Sequence, residues 1–179
     1  MADFNTTRNP TLVQSSGGGT AWSNPSYAGI QDGNYATSDI GKNDVTQWLQ
    51  PQQYGFNIES DATIVGIKMD VYHYSENSGN VSDSQVYLLD TASGHKGSNY
   101  ATGSGIPTSP TWKTFGGPTD LWGASWTYSD INNANFGAHM EYSNDSGTSR
   151  RQIHVDVVTM TVYYTRPDFA GIILQMGVM

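Results

Sequence analysis

The longest strand-like pattern in the chain is Ile153-His154-Val155-Asp156-Val157-Val158-Thr159-Met160-Thr161-Val162-Tyr163-Tyr164. It contains no Gly or Pro and is rich in β-branched and aromatic residues, which suit a pleated, half-buried surface. Ile153, Val155 and Val157 alternate on one side and Val158, Met160, Val162 and Tyr164 on the other, so the apolar face changes phase at Val157-Val158. A strand of this kind either carries a bulge or is covered on both faces, and the stretch predicts the central strand of a β-sandwich. A second long strand is predicted over residues 63–74, with Val65, Ile67, Met69 and Val71 on one face and Lys68, Asp70 and Tyr72 on the other. Turn residues fill 75–80 and a strand pattern returns over 84–89, which predicts a hairpin. By the same logic residues 136–142, where Phe136, Ala138, Met140 and Tyr142 alternate, pair with 153–164 in another hairpin.

Shorter strands are predicted over 11–14, 44–49, 54–58 and 111–115. Residues 22–41 read as an irregular loop pinned by buried rings, and residues 90–110 as a long loop of Gly, Ser, Thr and Pro. Ser129 or Asp130 could cap a single helical turn. The fold class is therefore all-β, an antiparallel and jelly-roll-like β-sandwich of about eight strands with long loops and no substantial helix. Three parts are expected: an N-terminal arm or edge strand over 1–19 ending in the hinge-like Gly17-Gly18-Gly19, a sandwich over 20–165, and an apolar C-terminal arm over 166–179.

Composition narrows the function. Aromatic residues make up 12% of the 179 residues, with 11 Tyr and 5 Trp, which argues for a packed chain rather than a disordered one. Eight Lys and Arg against sixteen acids leave a net charge of −8, too acidic for a phosphate-binding stripe, so no nucleic-acid partner is expected. With no Cys there are no disulfides, thiolate metal sites or Cys nucleophiles. No apolar run approaches the ~20 residues of a membrane span, so no membrane partner is expected either. The opening Met1-Ala2-Asp3-Phe4-Asn5 lacks the basic start and apolar run of a signal peptide, and the expectation is synthesis in a host cytoplasm without export.

Catalytic groups do not assemble in the sequence. His73, His95, His139 and His154 are scattered without metal-ligand spacing, and the expectation is that the protein is not an enzyme; a hydrolase using His139 or Asp120 is the third reading. Asp83, Asp90, Asp120 and Asp130 lie in or near loops and could gather around Ca²⁺, although Asp is favoured in turns for local reasons; no cofactor is expected otherwise. Planar rings on a β-sandwich can stack on sugar faces. Tyr27, Tyr35, Trp48, Trp112, Trp122 and Trp126 are candidates, foremost Trp112, Trp122, Tyr35 and Trp48, against the competing reading that Trp22, Trp122 and Trp126 fill the core. The C-terminal segment is nearly uncharged, and Phe169, Ile172, Ile173, Leu174, Met176 and Val178 are the candidate assembly contacts.

An ordered set of short pieces carries a resemblance: Trp22-Ser23-Asn24-Pro25, Asp32-Gly33-Asn34-Tyr35-Ala36, Ala62-Thr63-Ile64-Val65-Gly66-Ile67, Gly116-Gly117, Asp120-Leu121-Trp122-Gly123, Phe136-Gly137, and Val155-Asp156-Val157-Val158 leading to Val162-Tyr163-Tyr164. Together they resemble the β-sandwich structural proteins of tailed bacteriophage virions: capsid decoration, head-fibre or tail-associated subunits. The resemblance implies a non-enzymatic virion protein, homo-oligomeric, acting through contacts with other capsid or tail subunits. The alternative is a carbohydrate-binding or host-receptor-binding β-sandwich module that uses exposed Trp and Tyr.

Overall fold

Alternation in the sequence becomes two facing sheets in the computed structural model, which describes residues 2–76, 80–90, 94–145 and 149–167. Among the described residues eleven strands run in chain order: β1 (Ala2–Arg8), β2 (Leu12–Ser16), β3 (Ala36–Ile40), β4 (Asp44–Val45), β5 (Trp48–Gln52), β6 (Thr63–Ser75), β7 (Val81–Leu89), β8 (His95–Lys96), β9 (Thr111–Gly117), β10 (Gly137–Asn144) and β11 (Arg151–Arg166). A 3-10 turn occupies Pro25–Ala28 and one helical turn, α1, occupies Tyr128–Ile131. The front sheet has the order β1-β11-β6-β9, with β3 also on β11; the back sheet has the order β2-β5-β10-β7-β8, with β4 also on β10. All named strand pairs are antiparallel. The protein is a β-sandwich.

β11 is the central strand of the front sheet, and its phase change is a bulge. The register against β6 shifts between Val155, opposite His73, and Val157, opposite Tyr72. Asp156 is the additional residue, so the inward row passes from Ile153 and Val155 to Val158, Met160 and Val162. The Asp156 carboxylate is buried and accepts the backbone N–H groups of Asp32 and Gly33 at 3.2 and 3.3 Å. The bulge is thus pinned to the loop that delivers Tyr35 to the front face.

Both predicted hairpins are corrected. β6 lies in the front sheet and β7 in the back, and β10 and β11 are likewise divided. Alternation identifies the buried face of a strand but not its neighbour, and these strands bury Met69, Val71, Val86 and Met140 towards each other across the sandwich. The predicted strand at 44–49 is two strands, β4 and β5, broken by Thr46 and Gln47. The predicted strand at 54–58 is not one. Tyr54, Phe56 and Ile58 are buried, but Asn132 takes the place of a neighbouring strand, accepting from Ile58 N at 2.8 Å and donating to Ile58 O at 2.7 Å. The loop predicted over 90–110 contains the short β8. α1 is capped by Thr127, in a capping box with Asp130.

The N-terminal residues form β1 at an edge of the front sheet, in register with β11 over Ala2–Arg8, with Phe4 stacked on Tyr164 at 5.6 Å. The glycine run makes a tight turn in which Gly19, at φ 100°, lies against the backbone of Val45 and Thr46. The C-terminal positions Phe169, Ile172, Ile173, Leu174, Met176 and Val178 lie outside the described residues.

A buried polar group ties the two sheets. Lys113 of β9 reaches Asp83 of β7 at 3.0 Å, and Thr102 donates to Asp83 from both its backbone N–H (2.7 Å) and its hydroxyl. Beside it His73 Nδ1 lies 2.9 Å from the Tyr142 hydroxyl. Burial, and secondarily the Lys113 charge, pushes the His73 imidazole down to about 4.

Candidate functional site

The outer face of the front sheet gathers exposed aromatic rings beside fixed polar groups. Alternation along β6 sends Ile67, Met69, Val71 and His73 inward and Lys68, Asp70, Tyr72 and Tyr74 outward. On β9 the same parity buries Phe115 and turns Trp112 and Thr114 out. Register then aligns rows across the sheet: Trp112, Tyr72 and Val157 in one, Thr114, Asp70 and Thr159 in the next, and Tyr74 beside His154 on the other side of the first.

Trp112 is 46% exposed, and its ring meets Tyr72 at 5.0 Å and a tilt of 43°. Tyr74 stacks on His154 at 4.3 Å, and Tyr35 stands edge-on to both at 5.3 and 5.8 Å. These five rings form a band across β9, β6 and β11, closed by the loop that the Asp156 bulge holds. Burial raises the Tyr74 hydroxyl pKa; burial and then the Asp156 charge raise that of Tyr35. Both remain neutral hydroxyls able to donate. His154 is held below its ordinary value by burial, against the opposing pull of Glu76, whose Oε1 lies 3.4 Å from His154 Nε2.

The polar row beside the rings is fixed by its own partners. Asp70 accepts from Thr114 Oγ1 at 2.5 Å and pairs with Lys68 at 2.7 Å, and the hydrogen bond to Asp70 raises the Lys68 pKa. A carboxylate and an ammonium held in this way accept and donate hydrogen bonds at set positions without rearranging.

The other aromatic candidates go elsewhere. Trp122 is fully buried, stacked on Tyr100 at 4.2 Å and donating its Nε1–H to Ile67 O at 2.9 Å, so it is corrected from stacking platform to core residue. Trp22 and Trp126 are buried as well, donating to Gln47 O and Leu121 O. Trp48 lies on the outer face of the back sheet, half-buried, with His139 stacked on one face of its ring at 4.9 Å and 18° and Tyr87 and His95 at steep angles to it. It belongs to a cluster of four rings and, unlike Trp112, is not among the exposed large side chains. Tyr27 is exposed on the 3-10 turn that packs against β2, β3 and β11, and makes no ring contact with the band.

The loop acids do not converge on a common point. Asp83 is bound by Lys113, Asp90 and Asp130 share Lys96 at 3.6 and 3.0 Å, and Asp120 accepts from Tyr100 Oη and Trp122 N. His139 Nδ1 lies 2.8 Å from His95 Nε2 on the back sheet, whereas Asp120 lies in the loop after β9 and is engaged by Tyr100 and Trp122. Sequence reasoning missed Tyr72, Tyr74 and His154 as members of a site. The signal was there: each alternates outward on one of two adjacent long strands.

No family model matches the chain, and no curated protein matches it. Among solved structures, it is similar to a family 29 carbohydrate-binding module from Piromyces equi, with 8% identity, a TM-score of 0.44 and coverage of 90% of this chain and 91% of that one. It is also similar to another family 29 carbohydrate-binding module, with 13% identity, a TM-score of 0.42 and coverage of 90% of both chains. An exo-β-agarase follows at 7% identity and a TM-score of 0.39, with coverage of 92% of this chain and 24% of the agarase.

With these neighbours the expected function, that of a bacteriophage virion structural protein, is corrected. Several of the pieces behind the resemblance are packing devices of the sandwich. Trp22, Trp122 and Phe136 are core rings, Gly66 and Gly116 are close backbone approaches, and Val155-Asp156-Val157-Val158 is the bulge. Such pieces specify a fold.

Proposed function

We propose that this protein is a carbohydrate-binding β-sandwich whose ligand lies on the outer face of the front sheet. The observation that carries the reading is Trp112, a large ring left 46% exposed and aligned with Tyr72, Tyr74, His154 and Tyr35 beside a fixed row of hydrogen-bonding groups. An exposed aromatic band costs solubility unless something covers it. A sugar ring has the matching chemistry, with an apolar C–H face for the indole and hydroxyls at its rim for Asp70, Lys68 and Thr114. The net charge of −8 favours a neutral glycan over an acidic one.

In this reading Trp112 is the principal stacking platform, Tyr72 sets its tilt, and Tyr35 and Tyr74 bound the site and donate from neutral hydroxyls. The function is binding, and no reaction is assigned. A screen of neutral and acidic glycans by immobilised array, followed by calorimetry on the hits, tests it. Binding to neutral glycans that weakens in Trp112→Ala by about 2 kcal/mol, roughly thirtyfold, is the expected result. Glycan binding that Trp112→Ala leaves intact would refute the location, and no binding to any glycan would refute the function.

A further inference from the structure

The same face carries a second feature at the opposite end of its strands. A cleft of about 390 Å³ is lined by Asp3, Asn5, Val65, Thr119, Tyr163 and Thr165, together with Phe4, Pro118 and Tyr164. Strand parity places most of it on the outer face. Thr161 opposite Lys68 points out, so Tyr163, opposite Gly66 and Asn5, points out as well. Gly66, opposite Tyr163, lets the Pro118 backbone at the cleft edge approach closely, since a Cβ there would run into the Pro118 carbonyl.

From the Trp112–Tyr72 row to the Tyr163–Gly66 row is six residues along β6, about 20 Å at ~3.3 Å per residue. The lane between is lined by Thr114, Asp70, Thr159, Lys68, Thr161 and Thr7, hydroxyl and charged groups with no ring to obstruct it. On the β9 side Gly116, opposite Lys68, adds no side chain at all.

Resting on the carbohydrate-binding reading, we propose that the ligand is an extended, neutral polysaccharide chain lying along the strands, with one part on the Trp112 band and a more distant unit in the Tyr163 cleft. The cleft offers the same pairing as the band, a tyrosine ring with Asn5, Asp3 and Thr119 to meet hydroxyls, and strand parity puts Tyr163 on the same face as the band. Its only ionisable side chain apart from the tyrosines is Asp3, and the lane holds one acid and one base, so no part of the path selects a polyanion. Two contact regions joined by one chain bind cooperatively through effective concentration, so affinity must rise once the chain is long enough to reach both.

The test is calorimetry of the wild type with a graded series of one neutral linear glycan, from disaccharide to octasaccharide, repeated with Tyr163→Ala and with Asn5→Ala, the latter at an exposed position of an edge strand. Circular dichroism checks that each variant folds. The expected result is an affinity that climbs about tenfold or more with length and then levels off, and a climb that disappears in Tyr163→Ala and shrinks in Asn5→Ala. Affinity independent of length, or a climb that both variants leave unchanged, overturns the extended path while leaving Trp112-dependent binding in place. Loss of Trp112-dependent binding at every length overturns the carbohydrate reading itself, and the extended path with it.

Discussion

Replacing His73 should remove much of the protein's sensitivity to mild acid. His73 is fully buried between the sheets, with Nδ1 on the Tyr142 hydroxyl, and its pKa is lowered from 6.5 to about 4, first by burial and then by the Lys113 charge. Between those two values the unfolded chain binds a proton that the folded chain refuses, so stability rises with pH across the window. Stability is therefore fully present above about pH 6.5 and is lost as pH falls towards 4. A shift of about 2.5 units at 1.36 kcal/mol each amounts to about 3 kcal/mol, a large part of the ~5–15 kcal/mol that holds a typical domain together. His73→Asn keeps a polar atom near Tyr142 and cannot titrate in this range. It should cost about 1–2 kcal/mol at pH 8 through the smaller side chain. Urea unfolding followed by tryptophan fluorescence, at intervals from pH 8 to pH 4.5, gives both curves. They should converge or cross as pH falls, because the wild type loses more than the variant. Parallel curves would refute the assignment and move the acid sensitivity to His139, His95 or His154, whose pKa values are also lowered by burial.

Lys113→Met should destabilise by about 3–5 kcal/mol, because it leaves the Asp83 carboxylate buried without its cation; Lys113→Met with Asp83→Asn should recover a substantial part, read as a melting temperature. A single variant that melts like the wild type contradicts that role. Trp112→Ala should change stability by no more than about 1 kcal/mol and Trp122→Ala by about 3–5 kcal/mol, since one ring is nearly half exposed and the other fully buried; equal losses would refute the division. Gly116→Ala should lower the denaturant midpoint, because Gly116 sits at φ 68° and an added Cβ meets Ile67 O and the Trp122 indole; an unchanged midpoint would refute that close approach.

Local pattern made part of this legible and topology hid the rest. The phase change in β11 is visible as two interleaved apolar sets, and a bulge follows from it, but that Asp156 is the additional residue and that Asp32 and Gly33 hold it depends on a contact across more than 120 positions. The two misread hairpins share a cause, since Ser, Asn and Gly turns serve a chain crossing between sheets as well as one turning back. Trp112 can be placed from sequence, because Phe115 in the core forces it outward by parity. Trp122 cannot, for its left-handed backbone at φ 57° lies in a loop without periodicity. Tyr54, Phe56 and Ile58 alternate like a strand, and only the Asn132 side chain, 74 positions away, reveals why no neighbouring strand is needed.

The most direct test of the central claim is to follow the five tryptophan indole N–H resonances by nuclear magnetic resonance while titrating a glycan hit into the protein. Trp22, Trp122 and Trp126 each donate to a backbone carbonyl inside the fold, and Trp48 is stacked on His139 on the back sheet. The Trp112 resonance should move saturably while those four stay in place. A saturable shift of Trp48 with Trp112 unmoved would put the ligand on the opposite sheet and contradict the account.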